Sequence, residues 1–445
     1  MRHLLVYVNL LFLLMLLSCA GNSASNSSYA DRYIKVKNGQ FVLGGKPYYF
    51  IGANFWYGPI LGSQGTFGDR DRLVRELDFL KEKGVNNLRV LVGADGPNGI
   101  PSKVMPTLQV SPGQYEQSVF DGLDFFMNEL SKRDMHAVLY LHNTWEWSGG
   151  YAQYLNWSGY GPVPVPSVAG WDAFRNYVSQ YFECDSCQEM FKQHITTVLS
   201  RTNFYNKRKY TEDPAIMSWQ IANEPRPMGA GNKDAYAAWI KEIASHIKTL
   251  DTNHLVSTGS EGQAGSEEDF DLYARVHSDP NIDYLTMHIW PKNWSWIDTA
   301  NIAGTLPQAI RNTGTYMDKH IALADSLKKP ITLEEFGMPR DSHKYELSDS
   351  TSCRDAYYKY IFERVLQSVN SNGSLGGCNF WAWGGYARPQ ADHIYWQVGD
   401  DYMGDPAQEE QGLNSVFDTD TTIDLIKKYT TSIHQIIGKQ TEVVK

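Results

Sequence analysis

The 445-residue chain is predicted to fold as one (β/α)8 barrel, on three observations. Short β-rich runs and helix-periodic segments alternate eight times without a break. The composition keeps one regime beyond a brief N-terminal stretch. Chain length alone would suggest about three domains, yet single barrels of this class run from ~250 to over 400 residues. Third, helix-to-strand joints are short while several strand-to-helix joints are long, which is where such barrels carry insertions.

The N-terminus reads as an address. Arg2 and His3 precede Leu4 to Leu17, apolar except for Asn9. This run is shorter than the ~20 residues needed to span a bilayer but suits a secretory signal. It ends in Leu16-Leu17-Ser18-Cys19, which resembles a bacterial lipobox, so residues 1–18 are expected to be a lipoprotein signal peptide with Cys19 the lipidated residue. Residues 19–31 have the Gly/Ser/Asn composition of a flexible tether. The expectation is export and anchoring to a bacterial membrane through lipid alone, at the outer membrane or cell surface. The catalytic domain is assigned to residues 32–440.

The strands follow in order at Tyr48–Trp56, Asn86–Gly93, His136–Thr144, Ile216–Pro225, His254–Gly262, Tyr284–Trp290, Lys329–Gly337 and Gly376–Gly385. The helices are expected at Asp71–Gly84, Ser118–Asp134, Cys187–Asn203, Lys233–Asp251, Ser266–Asp279, Leu306–Lys328, Ser352–Gly373 and Thr422–Ile436. Within the fifth, Ser266-Glu267-Glu268-Asp269 reads as an N-cap followed by an acidic first turn. Of the five Cys, the four after Cys19 permit two disulfides in an exported protein, with Cys184-x-x-Cys187 the better candidate pair. The spacing suits neither a zinc site nor a thioredoxin-like redox site.

With 40 Lys and Arg against 50 Asp and Glu, the formal charge is −10, which excludes the basic footprint of a nucleic-acid binder. The unusual entry is 13% aromatic residues: 13 Trp, 27 Tyr and 18 Phe. Many fall on the long loops Ala94–Gln117, Trp145–Ser186, Ile289–Thr305 and Tyr386–Thr421, which build the face where such barrels hold their active sites. Rigid rings beside Asn, Asp and Gly suit a sugar chain, which offers an apolar C–H face to stack and a hydroxyl rim to hydrogen-bond. Two strand ends supply chemistry. The fourth ends in Asn223-Glu224-Pro225-Arg226 and the seventh in Glu334-Glu335-Phe336-Gly337. Two carboxyl groups facing one another across a barrel mouth are the minimal machine for glycosidic cleavage. Strand alternation is expected to turn Glu334 to the opposite face. No phosphate-cradling loop or ion-binding loop appears, so no metal and no cofactor is expected.

From Tyr33 to Gly438 the chain resembles glycoside hydrolase family five of clan A, and its β-mannanase subfamily most closely. The resemblance is carried by Gly52-Ala53-Asn54-Phe55-Trp56, Asn87-Leu88-Arg89-Val90, Trp219 through Arg226, Thr258 through Gly262, His288-Ile289-Trp290-Pro291, Glu335-Phe336-Gly337, Asn379-Phe380-Trp381 and Gly404-Asp405-Pro406. It implies Glu224 as acid/base and Glu335 as nucleophile of a retaining, endo-acting hydrolase of β-1,4-mannosidic bonds in mannan, galactomannan or glucomannan. It further implies that Asn223 binds the 2-hydroxyl, Arg89 and His288 support the carboxylates, and Trp381 forms a platform under the sugar. Trp56 and Trp145 are candidate substrate contacts, His142 is either a substrate contact or a satisfied structural His, and Trp290 replaces the Tyr that the family often carries. Asp405 is expected to shape the site from the eighth loop, and Glu261 either orders its loop or meets sugar. Retention requires the carboxyl groups ~5–5.5 Å apart. The partner is then a β-mannan polysaccharide or oligosaccharide, and the protein a monomer. Two alternatives stay open: the same machinery on another β-1,4-glycan such as cellulose or glucomannan, and a non-catalytic glycan-binding lipoprotein.

Overall fold

Eight parallel strands form the barrel, and the computed structural model describes them within residues 32–443, residue 101 excepted. They are β1 Phe50–Asn54, β2 Asn87–Leu91, β3 His136–Tyr140, β4 Ile216–Gln220, β5 Leu255–Ser257, β6 Leu285–Ile289, β7 Ile331–Phe336 and β8 Leu375–Phe380. Their order in the sheet is β5-β4-β3-β2-β1-β8-β7-β6. The β5/β6 seam carries no regular ladder but is bridged by Asp283 N to Val256 O at 2.9 Å and His288 N to Glu261 O at 3.1 Å. All eight strands are buried on both faces, which is why they read as apolar runs rather than as alternating patterns.

The outer helices are α1 Arg70–Glu82, α2 Gln117–Lys132, α3 Asp185–Leu199, α4 Lys233–Leu250, α5 Phe270–His277, α6 Ile302–Leu327, α7 Ser352–Ser371 and α8 Thr422–Val443. Each agrees with its expected segment within a few residues, except at α5 and at the end of α8. The α5 N-cap is Asp269, whose carboxylate accepts from Leu272 N, while Glu267 and Glu268 adopt left-handed φ of 54° and 57°. The acidic pair therefore precedes the helix, and Ser266 instead donates to Gly262 O at 3.0 Å. An acid at the cap satisfies one orphan N–H outright, so it competes successfully for that position.

Two features lie outside the sequence expectation. The loop from Trp145 to Ser186 holds helices at Gly150–Trp157, Pro166–Ala169 and Trp171–Val178. A small antiparallel sheet, Lys35–Lys37, Gln40–Leu43 and Lys46–Pro47, precedes β1. It presents Ile34 and Phe41 to Tyr48, Phe50, Val138, Met217, Leu255 and Tyr284, sealing the barrel at the amino ends of its strands. Gly376 is needed there, because a Cβ would lie 2.4 Å from the Phe41 ring. Cys184 and Cys187 form a disulfide at the start of α3, whereas Cys353 and Cys378 are buried and free, so the second possible bridge is not made. Cys19, the signal segment and the tether lie outside the described residues.

Because the Phe41 plug sits at the end remote from the loops, Phe41→Ala is expected to lower stability by about 3–5 kcal/mol. Equilibrium urea unfolding should register that loss while KM for any substrate stays unchanged.

Candidate active site

The mouth at the carboxyl ends of the strands is organised around one guanidinium. Arg89, in the middle of β2, has no exposed surface. Its Nε donates to Gln220 Oε1 at 2.7 Å, Nη1 to Asn54 Oδ1 at 3.1 Å and to Glu335 Oε1, and Nη2 to Asn223 Oδ1 at 2.8 Å. Below it the Tyr140 ring lies 4.5 Å away. Arginine only donates, so these partners fix its plane and in turn fix which face of each amide points inward.

Glu335 also receives Trp290 Nε1 on Oε2 at 3.3 Å. The indole at this position thus does what its single donor allows. Glu224 has different company. Trp145 Nε1 donates to Oε2 at 2.5 Å, and His288 Nδ1 lies 2.8 Å from Oε1. The same His288 nitrogen is 3.4 Å from Glu335 Oε2. Ligand atoms of Glu224, His288 and Glu335 all lie within 4.8 Å of one another. One oxygen of each carboxylate therefore approaches the other to within 4.8 Å, closer than the ~6.5–9.5 Å that an inverting pair needs. Among the described residues this trio is also the one group close enough to share a metal ion, but the N–H donors of Arg89, Trp145 and Trp290 already occupy oxygens that an ion would need.

Burial raises both carboxyl groups above the ordinary range, and repulsion from Glu224 raises Glu335 further. The opposing pull is uneven, because Glu335 holds the guanidinium directly while Glu224 holds only neutral donors and the more distant charges of Arg226 and Arg89. The direct ion pair with Arg89 favours the ionised form of Glu335, a support that Glu224 lacks. His288 is kept neutral by burial and by the nearby Arg89 and Arg226 charges.

The backbone holds these side chains at strand ends. Glu224 has a left-handed φ of 49°, and its N–H donates to Gly259 O at 3.0 Å. Asn223 N donates to His142 O and Thr144 N to Asn223 O, lacing the ends of β3 and β4 together. A left-handed non-glycine residue persists only where its surroundings over-determine it, and such positions cluster at functional sites. Asn143 Oδ1 accepts from both Trp145 N and Asn223 Nδ2, at 3.0 and 3.2 Å.

Trp381 follows β8 beside the pair, its ring centroid 6.1 Å from Trp290 and 6.4 Å from Trp147, with Nε1 unpartnered among the described residues. Trp56 stands farther back. Its ring is 3% exposed, its indole donates to Gly404 O at 2.8 Å, and it packs 5.9 Å from Trp147. It is a wall behind the mouth rather than an open contact. His142 takes the structural of the two roles open to it. It has no exposed surface, stacks 4.4 Å from Phe191, shares 3.0 Å with Tyr181 OH, and is pushed down to about 3 by burial. It points outward between strand and helix, because the residue that faces the mouth here is the neighbouring Asn143.

Glu334 departs from expectation as well. The register between β6 and β7 slips, pairing Met287 with Leu333 but His288 with Glu335. Glu334 is the extra residue of this bulge, and it stays inside the barrel. Gln220 Nε2 donates to its Oε2 at 2.6 Å, and Arg89 Nε is 3.9 Å away. Alternation holds only while the ladder is regular. Asp405 accepts from Gly412 N, Asn414 N and Ser415 N at 2.8–3.1 Å, so it orders the eighth loop as expected. Glu261 pairs with Arg226, which lies 5.1 Å over Trp145, and burial pushes its carboxyl up to about 7. The sequence reading assigned no role to Asn54, Gln220 or Arg226. The signal for the first two was inward alternation at the ends of β1 and β4; for Arg226 it was only adjacency to Glu224.

Comparison with known proteins agrees with this geometry. A family model described as GH family 5 beta-mannosidase-like matches residues 31–438. A crystal structure of a family 5 mannosidase from Rhizomucor miehei, in complex with mannosyl-fructose, superposes with a TM-score of 0.85 at 36% identity, covering 92% of this chain and 99% of that one. The mannan endo-1,4-beta-mannosidase 1 of Oryza sativa subsp. japonica is 29% identical over 364 residues, 78% of each protein. An endo-beta-1,4-mannanase from Thermotoga petrophila, 21% identical with a TM-score of 0.62, shares the fold. The chain belongs to the β-mannosidase-like group of glycoside hydrolase family 5, and is a glycoside hydrolase.

Proposed function

We propose that the protein is a retaining mannan endo-1,4-β-mannosidase with Glu335 as nucleophile and Glu224 as acid/base. The observation that carries this is the pair itself: two buried carboxyl groups within 4.8 Å, one tied to a guanidinium and one to neutral donors. In the first step a Glu335 oxygen bonds to the anomeric carbon as the glycosidic C–O bond breaks, and Glu224 gives its proton to the leaving oxygen. In the second, water attacks the anomeric carbon, Glu224 takes the water's proton, and Glu335 leaves as a carboxylate. Positive charge spreads over the sugar ring in each transition state, and Asn223 faces the site to hold the 2-hydroxyl, a bond that tightens as that charge develops. Trp381 supplies the apolar floor and Trp145 the wall that fixes Glu224. Mannan as substrate draws support from the plant endo-mannosidases and from the mannosyl-fructose held by the fungal mannosidase. The 36% identity to that mannosidase favours a second reading, release of single mannose units from chain ends. Export with a lipid on Cys19 belongs to the same proposal. It rests on the apolar run and on Leu16-Leu17-Ser18-Cys19, and among the described residues no helix is long and apolar enough to cross a membrane.

On galactomannan, glucomannan and cellulose, product analysis should give mannose-containing oligosaccharides from the first two and nothing from cellulose. Mannose as the sole early product would favour the second reading, and cleavage of cellulose alone would sink the substrate. Glu335→Gln should reduce kcat by at least about 1,000-fold with little change in KM, since covalent catalysis is lost while binding is kept. For the anchor, Cys19→Ser should move the protein from the membrane to the soluble fraction of a bacterial host; a membrane fraction unchanged by the substitution would remove the lipid from the proposal.

A further inference from the structure

The β7 bulge leaves a third buried carboxylate beside the pair. Glu334 is 1% exposed, and its carboxyl is held by Gln220, Tyr284 and Thr332. Its Oε2 accepts from Gln220 Nε2 at 2.6 Å, and its Oε1 lies 3.2 Å from Thr332 Oγ1 and 3.3 Å from Tyr284 OH. Gln220 cannot be reversed. Its Oε1 receives Arg89 Nε, which only donates, so its NH2 must point away from Arg89, and there it meets Glu334 and Ser257 Oγ. A second line runs through the backbone. The Glu334 carbonyl accepts Asn54 Nδ2 at 2.8 Å, and Asn54 Oδ1 in turn accepts Arg89 Nη1.

We propose that Glu334 is a positioning residue for the reaction: its carboxylate, through Gln220, and its carbonyl, through Asn54, hold the Arg89 guanidinium in the orientation that reaches Glu335 and Asn223 together. The proposal rests on the roles given above to Glu224 and Glu335. Without the Gln220 tie the guanidinium could turn about its long axis, and the two Nη groups would no longer meet both partners. Glu334 also makes Arg89 answer to two carboxylates with one positive charge, which leaves net negative charge beside the catalytic pair. The charged and titratable groups facing Glu334 are Arg89 from β2, Glu335 on its own strand, Tyr284 before β6 and Tyr273 from α5, with Tyr140 from β3 on the far side of Arg89.

The test separates charge from geometry. Glu334→Gln keeps an oxygen for Gln220 but loses the charge. Removing a negative neighbour favours the ionised form of both catalytic carboxyls, so both limbs of the kcat/KM profile should move to lower pH by about one unit. Glu334→Leu removes the acceptor, and kcat should fall about 100-fold with KM changed by less than about threefold. Gln220→Leu should reproduce that fall, and the double variant should be no slower than the slower single one, since both act on one guanidinium. Limbs that stay in place in Glu334→Gln, or losses that multiply in the double variant, would overturn the proposal. If Glu334→Leu does not fold, the limbs of Glu334→Gln decide. Full activity in Glu335→Gln would instead overturn the catalytic assignment beneath it.

Discussion

A guanidinium withdrawn from water must find an acceptor for nearly every N–H or cost several kcal/mol. Arg89 meets that demand with Asn54, Gln220, Asn223 and Glu335, drawn from β1, β4 and its loop, and β7. No two neighbouring strands could supply this set. It exists only when the barrel is closed and its registers are correct, so the fold and the ion pair of Glu335 rest on the same contact. The plug of Ile34 and Phe41 and the bridged β5/β6 seam matter to the chemistry because they hold that closure.

The same arrangement separates two identical side chains into two roles. Both glutamates are buried and both are raised by burial, so environment alone would leave them equivalent. The guanidinium breaks the tie. Of Trp145, Trp290 and Trp381 beside the pair, the first two spend their one donor on a carboxylate oxygen. Rings that look interchangeable in the composition are thus divided among donors, platform and wall.

The sequence placed eight strands and eight helices, α5 and the end of α8 apart, within about five residues of where they lie, since periodicity is a local property. Arg89, Asn223, His288, Trp290 and Trp145 also come to the mouth as expected. His142 does not, because which of two adjacent residues at a strand end faces inward depends on where regular pairing stops. Glu334 was turned the wrong way because a bulge is a relation between two strands and leaves no mark on one.

What the sequence determined by itself was a single barrel, enlarged by aromatic loops on the face that carries two glutamates. Only the tertiary structure decided which glutamate meets the guanidinium, that a third carboxylate stands behind them, and which aromatics meet the cleft. Charge state and facing are set by neighbours more than a hundred residues away in the chain, such as Arg89 and Glu335, and those neighbours exist only after folding.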